Sequence, residues 1–183
     1  MLPNLITGLR LVLLVPLYLC LAGGGEEGRW TALGLYLFAG LTDVLDGRLA
    51  RALGQTSRLG HALDRMADGL LTLTAVVGLL ASGVMQGWPA AAGLIVIGRG
   101  FVVTGLEHAY PDRLNIDVSP MEKVKITLQF IGLSVMMAHW LPGLPPGVDT
   151  RTLGGWVFEG CAVVTVVTLI DYMGRAVRAA RHV

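Results

Sequence analysis

Asp43-Val44-Leu45-Asp46-Gly47-Arg48-Leu49-Ala50-Arg51, followed by Gly60, Asp64 and Asp68, is the stretch on which the reading of this chain turns. It carries four carboxylates inside sequence that is otherwise strongly apolar. A charge within a membrane helix costs at least about 2.5–3.5 kcal/mol on insertion scales, so four unbalanced anions are not tolerable. Their spacing shows how they can be accommodated. Asp43 and Asp46 are three residues apart, and Asp64 and Asp68 are four apart. Each pair therefore shares one face of its helix. With the two helices antiparallel about a turn near Gln55, Asp43 lies level with Asp68, and Asp46 with Asp64. The four side chains then converge. An all-oxygen cluster of this kind suits hard cations such as Mg²⁺, Mn²⁺ or Ca²⁺. One divalent ion leaves two negative charges over, whereas two ions neutralise the cluster. A metal pair about 3.5–4 Å apart suits in-line displacement at phosphorus. Gly47, Ala50 and Gly60 stand one helical turn from the aspartates and leave room for a bulky ligand. Arg51 is placed to meet phosphate oxygens.

The surrounding sequence supplies the membrane. Of the 183 residues, 54% are hydrophobic and 15% charged, with a mean hydropathy of +0.65. Soluble domains run at roughly 45–50% apolar and 25% charged. Six stretches approach the roughly 20 apolar residues that a crossing requires. They are Leu5–Gly23, Trp30–Leu49, Leu63–Val84, Trp88–Ala109, Met121–Leu141 and Leu153–Met173. The expected fold is an all-α polytopic membrane protein of six transmembrane helices, forming a single domain over residues 1–183. Gly23–Gly28, Arg51–Gly60, Gly83–Gly87, Tyr110–Pro120 and Pro142–Gly147 read as connections.

Arg29 and Arg151 stand alone on one side, while the other basic residues gather at the termini, around the second and fourth turns and in the inner parts of helices. Excess Lys and Arg marks the cytoplasmic face, which puts both termini and the Arg51–Gly60 turn there. Trp30, Trp88, Trp140 and Trp156 fall at the opposite span ends, as an interfacial belt would place them. A cleaved signal peptide at the first span is disfavoured by its thin positive region, which holds only Arg10. With 14 basic and 13 acidic residues the net charge is +1, and no basic stripe marks a nucleic-acid partner. Cys20 and Cys161 read as small apolar residues within helices.

Every fixed position of the CDP-alcohol phosphotransferase signature, D-x2-D-G-x2-A-R-x8-G-x3-D-x3-D, is matched between Asp43 and Asp68. The chain therefore resembles that family, and its six-span layout fits as well. The resemblance implies transfer of a substituted phosphoryl group from a CDP-linked donor to an acceptor hydroxyl, with release of CMP. It implies that Asp43, Asp46, Asp64 and Asp68 hold two divalent cations, Mg²⁺ or Mn²⁺, and that Asp68 is also the catalytic base. Gly47, Ala50, Arg51 and Gly60 map to the nucleotide site. It further implies a homodimer in a bacterial inner membrane, with the active site open to the cytoplasm.

Two other segments are similar to bacterial phosphatidylglycerophosphate synthases: Asn4, Thr7 and Arg10 on one face of the first helix, and the Glu122-Lys123-Val124-Lys125 run, in which Glu122 stands where those proteins have glycine. Arg99, Arg113, Lys123 and Lys125 are candidate ligands for a phosphorylated acceptor such as glycerol 3-phosphate. The donor would then be CDP-diacylglycerol. Arg65 departs from the subfamily's D-P-x-A-D pattern, which leaves cardiolipin synthases and inositol-phosphate-using relatives open as alternatives. Rival classes fit less well. Intramembrane prenyltransferases need about nine spans, more than 183 residues supply at roughly 20 each. A cation transporter would not require Ala50-Arg51 and Gly60. Glu159 in the sixth span pairs with His139 or lies at a subunit contact, and Asp171 with Arg175 forms a local pair.

Overall fold

The computed structural model describes the backbone of residues 2–52, 58–109, 120–140 and 147–180; within these, the side chains of 2–7, 26, 43–52, 58–63, 107–109, 120, 140, 175, 176 and 178–180 are outside the description. The described residues form six α-helices: α1 (Leu2–Gly23), α2 (Gly25–Ala52), α3 (Arg58–Ala81), α4 (Trp88–Ala109), α5 (Pro120–Met137) and α6 (Thr150–Ala180). A short 3₁₀ turn, Ala138–Trp140, follows α5.

The helices pack through small residues, as lipid-embedded helices do when apolar burial alone gives no preference for a partner. Added Cβ atoms fix the neighbours. One at Gly78 of α3 would lie 2.6 Å from Leu21 of α1, and one at Gly40 of α2 would lie 2.2 Å from the Phe130 ring of α5. One at Gly154 of α6 would sit 2.6 Å from the Met136 backbone nitrogen of α5, and one at Gly132 would sit 3.0 Å from Phe158. These approaches leave Leu17, Leu21, Leu79, Leu133, Met136, Phe158 and Cys161 almost fully enclosed. Tyr36 stacks on Phe130 with ring centroids 5.1 Å apart.

The outside of the bundle is apolar instead of charged. Val12, Leu94, Phe101, Val163 and Ile170 are each about two-thirds exposed. A surface of that kind calls for lipid or a partner. Trp88–Leu106 and Thr150–Gly174 are each long and apolar enough to cross a membrane, and Gly8–Gly23 is a shorter apolar stretch.

The contacts also give the helix directions. Near its start α1 meets the start of α3, through Arg10, Asp64 and Asp68; near its end it meets the end of α3, through Leu21 and Gly78. The two helices therefore run parallel. α3 and α5 are joined where Gln129 Nε2 donates to Thr72 Oγ1 at 2.6 Å. α5 and α6 run antiparallel, with Lys125 beside Cys161 and Met136 beside Gly154.

Two connections differ from the sequence expectation. Gly23–Gly28 reads as a loop, but α2 resumes at Gly25 and only Gly24 interrupts the helices. The physical reason is close backbone approach: a Cβ on Gly24 would lie 2.7 Å from the Cys20 carbonyl oxygen, and Gly25 takes φ +60°. Side-chain-free residues thus make a break so tight that little chain is left for a loop. The Arg51–Gly60 turn is also shorter than expected. Arg51 belongs to α2 and Gly60 to α3, leaving residues 53–57 as the connection, outside the description.

At the start of α6 the Asp149 carboxylate accepts from the backbone N–H groups of Arg151 and Thr152, at 3.1 and 3.3 Å. This is an N-cap. The Thr152 hydroxyl and those N–H groups hold the Asp149 carboxyl below its usual range. A lowered carboxylate pKa means that the cap's stabilisation is present above the ordinary value and is lost as pH falls through the lowered one.

Candidate active site at one end of the bundle

Among the described side chains of the signature, Asp64 and Asp68 point at one another's neighbourhood from successive turns of α3. Both meet the same cation. Arg10 Nη1 donates to Asp64 Oδ1 at 3.4 Å and to Asp68 Oδ1 at 3.2 Å. The Arg10 side chain is 1% exposed, whereas those of Asp64 and Asp68 are 44% and 48% exposed. The arginine thus holds both carboxylates from the protein interior, and each side chain remains nearly half exposed. The convergence expected of the i,i+4 pair is realised on α3. Asp43 and Asp46 lie on α2, together with Gly47, Ala50 and Arg51, and Gly60 lies on the first turn of α3. The side chains of these six residues are outside the description, so their meeting with Asp64 and Asp68 is not on view. Asp68 is anchored from below, since Thr72 Oγ1 donates to its backbone carbonyl at 3.0 Å while accepting from Gln129.

A second charged group lies on the α4–α5 side of the same end. Arg99 grips Glu122 with both terminal nitrogens, Nη2 to Oε2 at 2.9 Å and Nη1 to Oε1 at 3.2 Å. Lys125 Nζ donates to the same Glu122 Oε1 at 2.5 Å. All three side chains are largely enclosed, at 12%, 21% and 11% exposure for Arg99, Glu122 and Lys125. The Thr72–Gln129 contact ties the two groups to a common level. Asp68 lies one turn before Thr72 on α3, and Lys125 one turn before Gln129 on α5. Of the four candidate acceptor ligands, the structure brings Arg99 and Lys125 together. Lys123 is exposed on α5, and Arg113 falls outside the described residues.

In the sequence, Arg10 and Glu122 stand out only through the patterns around them. Each acts through a partner in another helix, 54 or more positions away for Arg10 and 23 for Arg99–Glu122. The Glu159–His139 pairing is not found among the described residues. Glu159 instead lines a cavity of about 330 Å³ at the other end of the bundle, with Gln86, Trp88, Arg151 and Trp156. This cavity contains no signature residue, so the chemistry is assigned to the aspartate end.

Comparison with known proteins places the chain in a family. The family model described as CDP-alcohol phosphatidyltransferase matches residues 1–172. The chain is 40% identical over 180 residues to a CDP-diacylglycerol–glycerol-3-phosphate 3-phosphatidyltransferase of Pseudomonas fluorescens, covering 95% of this chain and 89% of the relative. It is 31% identical over 181 residues to a Mycobacterium tuberculosis protein named "Probable phosphatidylglycerophosphate synthase", covering 97% and 82%. A Bacillus subtilis relative with the same name as the Pseudomonas protein is 30% identical over 142 residues, covering 77% and 70%. This chain belongs to the CDP-alcohol phosphatidyltransferase family.

Proposed function

We propose that this protein transfers a phosphatidyl group from CDP-diacylglycerol to the free hydroxyl of glycerol 3-phosphate, giving phosphatidylglycerophosphate and CMP. The observation that carries the reading is the Asp64–Asp68 pair, half-exposed and held together by the buried Arg10. It belongs to a complete signature in a chain whose relatives carry that activity in their names.

The donor set fits divalent metal. Two half-exposed carboxylates already share one cation, and carboxylate oxygens are the ligands hard cations prefer. Asp43, Asp46, Asp64 and Asp68 would hold the ions. Arg10 offsets part of their negative charge, and the ions would offset the rest. The bound ions supply charge withdrawal from the pyrophosphate, which favours departure of CMP. Asp68 takes the proton of the acceptor hydroxyl as that oxygen attacks the phosphorus retained by the lipid, and the bond from this phosphorus to CMP breaks. Gly47, Ala50 and Gly60 leave space for the nucleotide, and Arg51 pairs with its phosphates. Arg99 and Lys125, buried cations at the same level, bind the acceptor's phosphate, with Arg113 and Lys123 as further candidate ligands. Incubation with CDP-diacylglycerol and glycerol 3-phosphate tests this reading. CMP release that depends on the acceptor is expected, and its absence would refute the reading.

The six helices are taken as six spans, with both termini, the α2–α3 connection and the active site at the cytoplasmic face of a bacterial inner membrane. A homodimer is part of the same reading. Single cysteines at Thr56 and at Glu27, in a background lacking Cys20 and Cys161, test the orientation with an impermeant thiol reagent applied from outside. Position 27 is expected to label and position 56 to stay protected. The reverse pattern would overturn the topology.

A further inference from the structure

We infer that Glu122 is an internal stand-in for the acceptor's phosphate, and that displacing it sets how tightly an acceptor binds. This rests on the proposed role of Arg99 and Lys125 as the phosphate site.

Glu122 takes the two terminal nitrogens of Arg99 and the ammonium of Lys125. A guanidinium fork binds carboxylate and phosphate in the same bidentate way. The geometry that Glu122 satisfies is therefore the one a phosphate monoester would need. The group is also balanced against casual occupants: among the described residues, two cations and one carboxylate leave one positive charge. A monoester carries about −1.5 to −2 at neutral pH, more than the single charge of the carboxylate that it replaces. A singly charged phosphodiester has no such advantage over Glu122.

Displacement needs somewhere for the carboxylate to go. Glu122 lies in the first turn of α5, which begins at Pro120. Helix starts present free backbone N–H groups and the positive end of the dipole, both favourable to a carboxylate. A small rotamer change can move Glu122 from Arg99 to that turn without exposing an unbalanced charge. Arg99 Nε, buried and without a hydrogen-bond partner among the described residues, offers a further donor to an incoming oxygen.

Glu122→Gln removes the competing charge and keeps the side chain's size. With CDP-diacylglycerol saturating, the KM for glycerol 3-phosphate should fall about tenfold, as for the loss of one charge-assisted competitor, with kcat changed much less. Inhibition by inorganic phosphate should strengthen in parallel. KM comes from the active fraction alone, so a lower yield of folded protein does not obscure it. If Glu122→Gln cannot be recovered, Glu122→Asp, which shortens the reach to Arg99, should shift KM downward by a smaller factor. An unchanged or raised KM would overturn the inference and make Glu122 a residue that merely holds Arg99 and Lys125 in position. Wild-type protein that releases no CMP with glycerol 3-phosphate would instead refute the acceptor assignment, and this inference with it.

Discussion

Asp68→Asn is expected to lower CMP release by at least about a hundredfold while leaving the bundle folded, since proton transfer by a positioned side chain contributes roughly 10²–10⁴-fold. Asparagine keeps the shape but removes the charge and the basic lone pair. Loss of a metal-holding oxygen would add to the effect. The fold should survive for reasons visible in the structure. Arg10 keeps Asp64 as a partner at 3.4 Å. The Thr72 hydroxyl bonds to the backbone of residue 68, which the substitution does not touch. Binding of CDP-diacylglycerol should suffer less than turnover, because three carboxylates and Arg51 remain. Donor binding and CMP release measured side by side separate the two roles. Near-normal CMP release from Asp68→Asn would show that another group deprotonates the hydroxyl.

Removing divalent metal should have an effect of similar or greater size. Activity is expected to fall to background in chelator and to return with Mg²⁺ or Mn²⁺. The helices themselves should persist, because Arg10 lies between Asp64 and Asp68 and limits their mutual repulsion. Unchanged helical circular dichroism together with lost CMP release is therefore the expected pair of results. Full activity in chelator would contradict a mechanism in which the aspartates act through bound metal.

Local rules made much of this molecule legible. The spacing of Asp64 and Asp68 is a property of one helix, and in the structure the two side chains do converge. The helices overlap the six apolar stretches, since composition and length govern both. Expectation and structure part where tertiary contact or close backbone approach decides. Gly23–Gly28 has loop composition, yet glycine's missing Cβ also permits a break at Gly24 that costs almost no chain. Arg10 looked like a thin positive flank of the first helix. Its place between two aspartates depends on α1 running parallel to α3, which no local pattern encodes. Glu122 stood out only as a departure from glycine, because its grip on Arg99 joins residues on different helices. Glu159 suggested His139 as a partner by charge alone, but it faces a cavity with Arg151 instead.

The most direct test is the identity of the lipid product. Purified protein would be given CDP-diacylglycerol, Mg²⁺ and a mixture of glycerol 3-phosphate, inositol phosphate and phosphatidylglycerol, and the lipids formed would be identified by mass. The account predicts phosphatidylglycerophosphate, in amounts equal to the CMP released. Cardiolipin or an inositol-phosphate lipid as the main product, or CMP release with no new lipid, would contradict it.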